Sequence, residues 1–261
     1  MNFELSEEQK MIQQSVERFV QENYDLPKRV EISSKDPGYS KEYWGSMAEL
    51  GWLGLPFEEK DGGFGGNQID TLVIMEQFGK GLVLEPFIAN VVLGGGAIQI
   101  GGSEELKKEM LPGLIEGSKQ MTLAYAEQQS RFDLEDVATS ARQEGDKFII
   151  NGQKSMVLNA ESADHIVVVT RTSGGQVDEE GITLFLVDSN AKGLELQNFP
   201  TVDGLRASEI TFDNVEVSSE RMIGELGKGF DILRVVSNNA ILAVCAEAVG
   251  AMEILYKDTV E

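Results

Sequence analysis

Few residues in this chain could carry chemistry, and their scarcity narrows the choices. There is one histidine, His165, and one cysteine, Cys245. A zinc site built from several His and Cys ligands is excluded, and so is an intrachain disulfide. His165 precedes the β-branched run Ile166-Val167-Val168-Val169, which predicts a place at a strand end without a catalytic role. Cys245 stands between Val244 and Ala246 and is expected to be a plain buried thiol. The chain has no GxxxxGK phosphate loop and no GxSxG nucleophile elbow. The run Gly224-Glu225-Leu226-Gly227-Lys228-Gly229 resembles a phosphate cradle only superficially, because no βαβ pattern surrounds it. The acidic pairs Glu58-Glu59 and Glu179-Glu180 read as solvated loop charges. No metal site and no catalytic residue are assigned.

Charge sets a second limit. Against 22 basic residues stand 44 acidic ones, a net charge of −22. Such a surface repels nucleic acid and anionic membranes. An anionic cofactor would need a local basic exception. Arg131, Lys154, Arg171, Arg206 and Lys228 are the candidates, and ordinary solvated charge is the competing reading for them. No membrane span is expected, since no uninterrupted apolar run reaches roughly 20 residues. The start, MNFELSEEQK, lacks the basic end and apolar stretch of a signal peptide, so a cytoplasmic chain is expected.

The elements that must position these residues change character along the chain. Ser6-Glu7-Glu8-Gln9 is a capping box that opens a helix with Met11, Ile12, Val16, Phe19 and Val20 at helical spacing. Pro27 and Pro37 mark Tyr24 to Gly38 as a helix end and loop. Helices follow over Lys41–Leu50, with Tyr43, Met47 and Leu50 on one face, and over Asp70–Gly79, near Glu85–Ile100, and after Ser103. A glycine-rich turn lies at 61–66. From Lys119 the pattern is of short strands. Met121–Tyr125, Lys147–Ile150, Gln153–Leu158, Ile166–Thr170, Gly181–Val187 and Ile210–Val217 qualify, with Asn151-Gly152 as a hairpin turn and a bend after Phe212. From Phe230 to the end the chain reads as one helix, apolar on every side around Ala240–Ala246. Such a helix must be covered by other elements. The expectation is an α+β multidomain fold: a helical domain over 1–118, an antiparallel β-barrel over 119–226, and over 227–261 the first helix of an incomplete, truncated helical bundle.

Four segments in this order resemble the acyl-CoA dehydrogenase family. They are Phe3-Glu4-Leu5-Ser6-Glu7-Glu8-Gln9; Met47 to Pro56 leading into Gly62-Gly63-Phe64-Gly65; Phe148-Ile149-Ile150-Asn151-Gly152-Gln153-Lys154; and Gly204-Leu205-Arg206-Ala207-Ser208 followed by Ile210, Phe212, Val215, Val217 and the Gly227-Gly229 turn. The resemblance implies α,β-desaturation of an acyl-CoA thioester. FAD takes the hydride, a glutamate removes the α-proton, and an electron-transferring flavoprotein is the acceptor. It also implies homo- or hetero-oligomers of dehydrogenase subunits.

By the same resemblance, the FAD contacts fall on Leu123, Tyr125, Ala126, Phe132, Met156, Val157 and Leu158, and the acyl-CoA contacts on Phe132, Asn238 and Ile241. Several of these depart from the pattern. Members commonly read Tyr-x-x-Thr-Glu-Pro-Gly-x-Gly-Ser where this chain has Leu123 to Phe132, so the flavin-binding threonine is Ala126 and the serine is Phe132. The usual Trp-x-Thr is Met156-Val157-Leu158. The helix position that carries the base in some members is Ala240, and the frequent arginine is Ile241. Glu247, two turns on, is taken as a satisfied or partner-facing charge. Two readings remain: a dehydrogenase reshaped for an unusual acyl group, or the non-catalytic partner subunit of a heteromeric dehydrogenase. Either way the 261-residue chain alone is expected to be inactive.

Overall fold

The computed structural model describes residues 4–260; Phe3 of the first family segment and the final Glu261 lie outside the described residues. The N-terminal part is helical, and most helices start where local chemistry says they should. Helix α1 (Glu7–Asn23) opens on the anticipated box: Ser6 Oγ accepts from the Gln9 N–H, and Gln9 Oε1 accepts from the Ser6 N–H. Helix α3 (Lys41–Glu49) is capped by Ser40, α4 (Gln68–Gly81) by an Asn67/Asp70 box, and α6 (Glu104–Ile115) by Ser103. Two expectations need correction. The stretch read as a loop after Tyr24 contains helix α2 (Leu26–Ser33). Asp25 caps it, and Pro27 sits in the first turn, where a missing N–H breaks no helical bond. Leu50, expected on the buried face of α3, is about half exposed, and Trp44 is buried beside Met47 instead. The helix foreseen near Glu85–Ile100 is a π-helical stretch, Ile88–Gly95, continuous with α5 (Gly96–Gly101).

The middle part is an eight-stranded sheet of β1 (Met121–Ala124), β2 (Ser140–Glu144), β3 (Lys147–Leu158), β4 (His165–Arg171), β5 (Ile182–Asp188), β6 (Leu194–Pro200), β7 (Arg206–Ser218) and β8 (Met222–Ile223). The order is β6-β7-β3-β2-β4-β5-β8, with β1 beside β4. The pairs are antiparallel except β1–β4 and a single β2–β4 bridge. The sheet rolls on itself, so that Phe148 of β3 meets Phe185 of β5 with ring centroids 4.7 Å apart. Alternation decides which core each residue joins. Ile166, Val168, Phe185 and Val187 point into the roll, while Val167, Val169, Leu184 and Leu186 point out into the helical core. Strands buried on both faces explain the unbroken apolar runs of β4 and β5.

The expected Asn151-Gly152 hairpin is not a turn. The β2–β3 hairpin turns at Gly145-Asp146, and β3 runs through Asn151-Gly152 to pair with β7. Gly152 has φ 146°, and a Cβ there would lie 2.7 Å from Thr139 Cα. The bend after Phe212 is likewise a bulge inside β7, at Asp213-Asn214. Strands β2, β6 and β8 had no counterpart in the sequence reading.

Helix α7 (Phe230–Val260) crosses α4 at backbone contact. A Cβ at Gly79 would lie 1.9 Å from the Glu247 carbonyl oxygen, and one at Gly250 would lie 1.8 Å from that of Glu76. Lys80 and Glu253 pair across the crossing at 2.9 Å. Phe230, Leu233, Val236, Ala243 and Gly250 form the buried face. Cys245 is exposed, contrary to expectation, because it lies on the other face of the helix. By length and composition α7 could cross a membrane, which the sequence reading did not foresee. It packs against α4 along one face only, and most of its apolar stretch is uncovered.

Candidate functional site

Two features meet where the rolled sheet faces the helices. The first is the end of the sheet around β1 and β3. Between Lys154↔Ile210 and Val157↔Ser208 the register slips, so Ser155 and Met156 together oppose Glu209. Glu209 holds this bulge, accepting from Ser155 Oγ at 2.7 Å and from the Met156 N–H at 3.4 Å. Met156 adopts the left-handed conformation (φ 55°) and is 52% exposed. Tyr125 is 37% exposed and Phe132 97%. The side chains of Leu123 and Val157 lie in the cores, so only their backbone could face a ligand. Ala126 is half-buried, and its carbonyl already accepts from the Ser155 N–H at 2.9 Å.

A buried ion pair anchors this loop. Lys154 is 0% exposed and donates to Glu127 Oε1 at 2.6 Å and to the Tyr125 carbonyl at 3.1 Å. Glu127 also accepts from the N–H groups of Thr139 (3.0 Å) and Ala138 (2.9 Å) and from Gln129 Nε2 (2.7 Å). Burial pushes the Glu127 carboxyl up, but the Lys154 charge and these hydrogen bonds outweigh it and hold the group below its ordinary 4.5. Burial pushes the Lys154 ammonium down to about 8 against the pull of Glu127. The convergence of donors on Glu127 keeps the pair in its charged form.

Most of the basic candidates for an anion site are engaged. Lys154 is buried in that pair. Arg171 donates to the carbonyls of Asp178, Glu180, Glu135 and Gln176 at 2.7–2.8 Å. Arg206 reaches the carbonyls of Ser33 and Lys35, and Lys228 pairs with Glu225 at 2.5 Å. Arg131 stands exposed on the 125–132 loop.

The second feature is a cavity of about 70 Å³ between the helices and the sheet. Met75, Phe78 and Phe87 give it an apolar wall, Leu158 reaches it from the end of β3, and Glu85 and Glu247 bring carboxylates to it. Glu85 is buried, accepts from the Tyr24 hydroxyl and, at 3.1 Å, from the Ser40 N–H, and is pushed up by burial. Glu247 is pushed up by burial and by Asp203, with Arg29 opposing. Glu247 is half-buried and has no hydrogen-bond partner among the described residues. Asn238 and Ile241 are exposed on α7, and neither lines the cavity. The structure thus brings Leu158, but not these two, to the cavity. Glu85 and Glu247 were missed as partners. The one available signal was a lone Glu85 inside the apolar run Val83-Leu84-Glu85-Pro86-Phe87.

Residues 6–118 match the model of the acyl-CoA dehydrogenase N-terminal domain, and residues 122–215 that of the acyl-CoA dehydrogenase middle domain. The chain is 30% identical over 266 residues to the short-chain specific acyl-CoA dehydrogenase of Clostridium acetobutylicum, covering 99% of this chain and 69% of that one. The chain belongs to the acyl-CoA dehydrogenase family. A further relative is the caffeyl-CoA reductase-Etf complex subunit CarC of Acetobacterium woodii, 26% identical, covering 95% of this chain and 66% of that protein. Among solved structures, PigA with FAD and proline superposes with a TM-score of 0.90 at 26% identity, covering all of this chain and 69% of that one. The chain therefore spans about two thirds of the length of these acyl-CoA dehydrogenase relatives. The helical part, the rolled antiparallel-rich sheet and the following helix are the family's arrangement.

Proposed function

We propose that this chain forms the helical and sheet walls of a flavin-dependent acyl thioester oxidoreductase, with the cavity beside Leu158 receiving the acyl group. The cavity carries the reading. It is apolar on most sides, closed by α4 and α7, and reached by the sheet end to which family resemblance assigns the flavin. The residues there fit FAD in a restricted way. Tyr125 and Met156 offer exposed apolar surface to a flat heteroaromatic ring, and backbone groups of 123–126 and 156–158 would hold its polar edge. No side-chain hydroxyl stands at Ala126, Phe132 or Leu158, and each hydrogen bond forgone is worth on the order of 1 kcal/mol. FAD, when bound, supplies the two-electron acceptor. The chain's own residues exclude water with Met75, Phe78 and Phe87, fix the loop through Lys154–Glu127, and narrow the cavity with Leu158. An electron-transferring flavoprotein is the acceptor this reading implies.

A second reading is favoured by one observation. Ala240, at the helix position that holds the base in some members, has no proton-accepting group. A partner subunit of a heteromeric dehydrogenase would need none. Reconstitution of the purified full-length protein with FAD, followed by anaerobic titration with acyl-CoA thioesters, separates the cases. Bleaching of the bound flavin by the protein alone supports the enzyme. Bleaching only after a second dehydrogenase subunit is added supports the partner. Failure to take up FAD in either setting would overturn both.

A further inference from the structure

Leu158 is the residue at which the cavity meets the assigned flavin edge, and its place is set from several sides. Its carbonyl accepts from Thr122 Oγ1 at 2.6 Å, and Thr122 is fully buried. It pairs with Ala207 of β7, and the next N–H, that of Asn159, donates to the Arg206 carbonyl at 2.9 Å. Asn159 then leaves the strand in the left-handed conformation (φ 54°). Its Nδ2 donates to Gln120 Oε1 at 2.7 Å, and Gln120 Nε2 donates to the Tyr39 hydroxyl at 2.6 Å. All three residues are buried. They join the end of β3, the entry to β1 and the loop after α2, so one line of hydrogen bonds runs from the sheet to the helical part. Its far end is anchored as well. Ser40, next to Tyr39, gives its N–H to Glu85 Oε1 at 3.1 Å on the cavity wall. A left-handed turn by itself needs no such line, since glycine would serve it.

We propose that Asn159 is a positioning residue: through Gln120 and Tyr39 it holds Leu158 in place between the flavin edge and the acyl cavity. The inference rests on the thioester reading above and names what keeps that site in register. Leu158 has no hydroxyl with which to fix itself to a flavin, so its place depends on the backbone and on this line. Two reacting groups seated against a wall are sensitive to where the wall stands, and a displacement of about 1 Å costs on the order of a hundredfold in rate. Buried hydrogen bonds in a chain strengthen one another, so a break at either end loosens the whole line.

The test uses the FAD-loaded full-length protein, with a second dehydrogenase subunit present where bleaching requires one. Stopped-flow absorbance follows bleaching of the flavin by the acyl-CoA thioester that wild type turns over fastest. Asn159→Gly keeps the left-handed turn and removes the amide. Tyr39→Phe removes one oxygen at the opposite end of the line. Each is expected to slow bleaching at least about tenfold while the thioester Kd changes less than about threefold. The double variant should be no slower than the slower single one, because both break the same line. Bleaching at the wild-type rate in both variants would overturn the proposal and leave the thioester reading standing. So would a loss confined to Kd, or rate losses that multiply in the double variant. If Asn159→Gly does not fold, Tyr39→Phe decides alone by the same criteria of rate and Kd. If no thioester bleaches wild type in either setting, the thioester reading falls, and the spectrum of the bound flavin decides the positioning. A band displaced alike in both variants supports it, and spectra identical to wild type overturn it. Wild type that takes up no FAD overturns both.

Discussion

Lys154 shows how much one buried residue can decide. By type and position it was a candidate for binding an anion, yet its ammonium is spent on Glu127 and the Tyr125 carbonyl. Through that pair β3 holds the 125–132 loop in place. Removing one partner strands the other charge in the interior, at a cost of about 3–5 kcal/mol. Lys154→Met is therefore expected to lower stability by that amount in urea unfolding. A loss under about 1 kcal/mol would show that the pair is not the anchor. The pH dependence has a definite sign. The folded-state Glu127 pKa lies below its ordinary 4.5, so the stability it confers is complete above 4.5 and is lost as pH falls through the folded value. Urea midpoints of wild type should drop on acidification across that window, and those of Glu127→Gln should drop less.

At the scale of elements, the crossing of α4 and α7 positions the cavity. Two glycines allow the helix backbones to touch, and Glu247 lies on the same stretch of α7. Gly250→Ala adds a methyl group where none fits. Overpacking of this kind costs about 1–3 kcal/mol, so melting should fall by several degrees. The same substitution should weaken thioester binding, because α7 must move away from α4 and take Glu247 with it. Unchanged melting and binding would mean that the contact is looser than described. Elements also show where local signals lose. Asn-Gly is a strong hairpin signal, but at Asn151-Gly152 the long-range pairing of β3 with β7 overrides it, and the glycine serves the close approach of β3 to Thr139.

At the scale of the molecule, α7 leaves an apolar face open. Ile241 is 60% exposed, and Val244, Met252 and Leu255 are exposed with it. Contiguous apolar surface of this kind marks a contact face. The 261-residue chain, prepared on its own, is expected to self-associate in light scattering and to bind a hydrophobic dye. The double substitution Met252→Lys with Leu255→Glu should reduce both. A monodisperse monomer that does not bind dye would show that the face needs no cover.

What the sequence determined by itself was local or periodic. The caps at Ser6, Asn67 and Ser103 satisfy donors three residues away or fewer. The apolar runs of β4 and β5 and the long helix from Phe230 carry their burial in their own spacing, and the ordered motifs carry the family. Tertiary structure alone decided what depends on distant chain segments meeting. It placed Glu85 and Glu247 on one cavity, paired Lys154 with Glu127, turned Met156 out through a bulge set by β7, and exposed Cys245. Each of these depends on which partner a polar or small residue meets. That choice belongs to the packing of whole elements, because a charge or a glycine has no periodic preference that announces its neighbour.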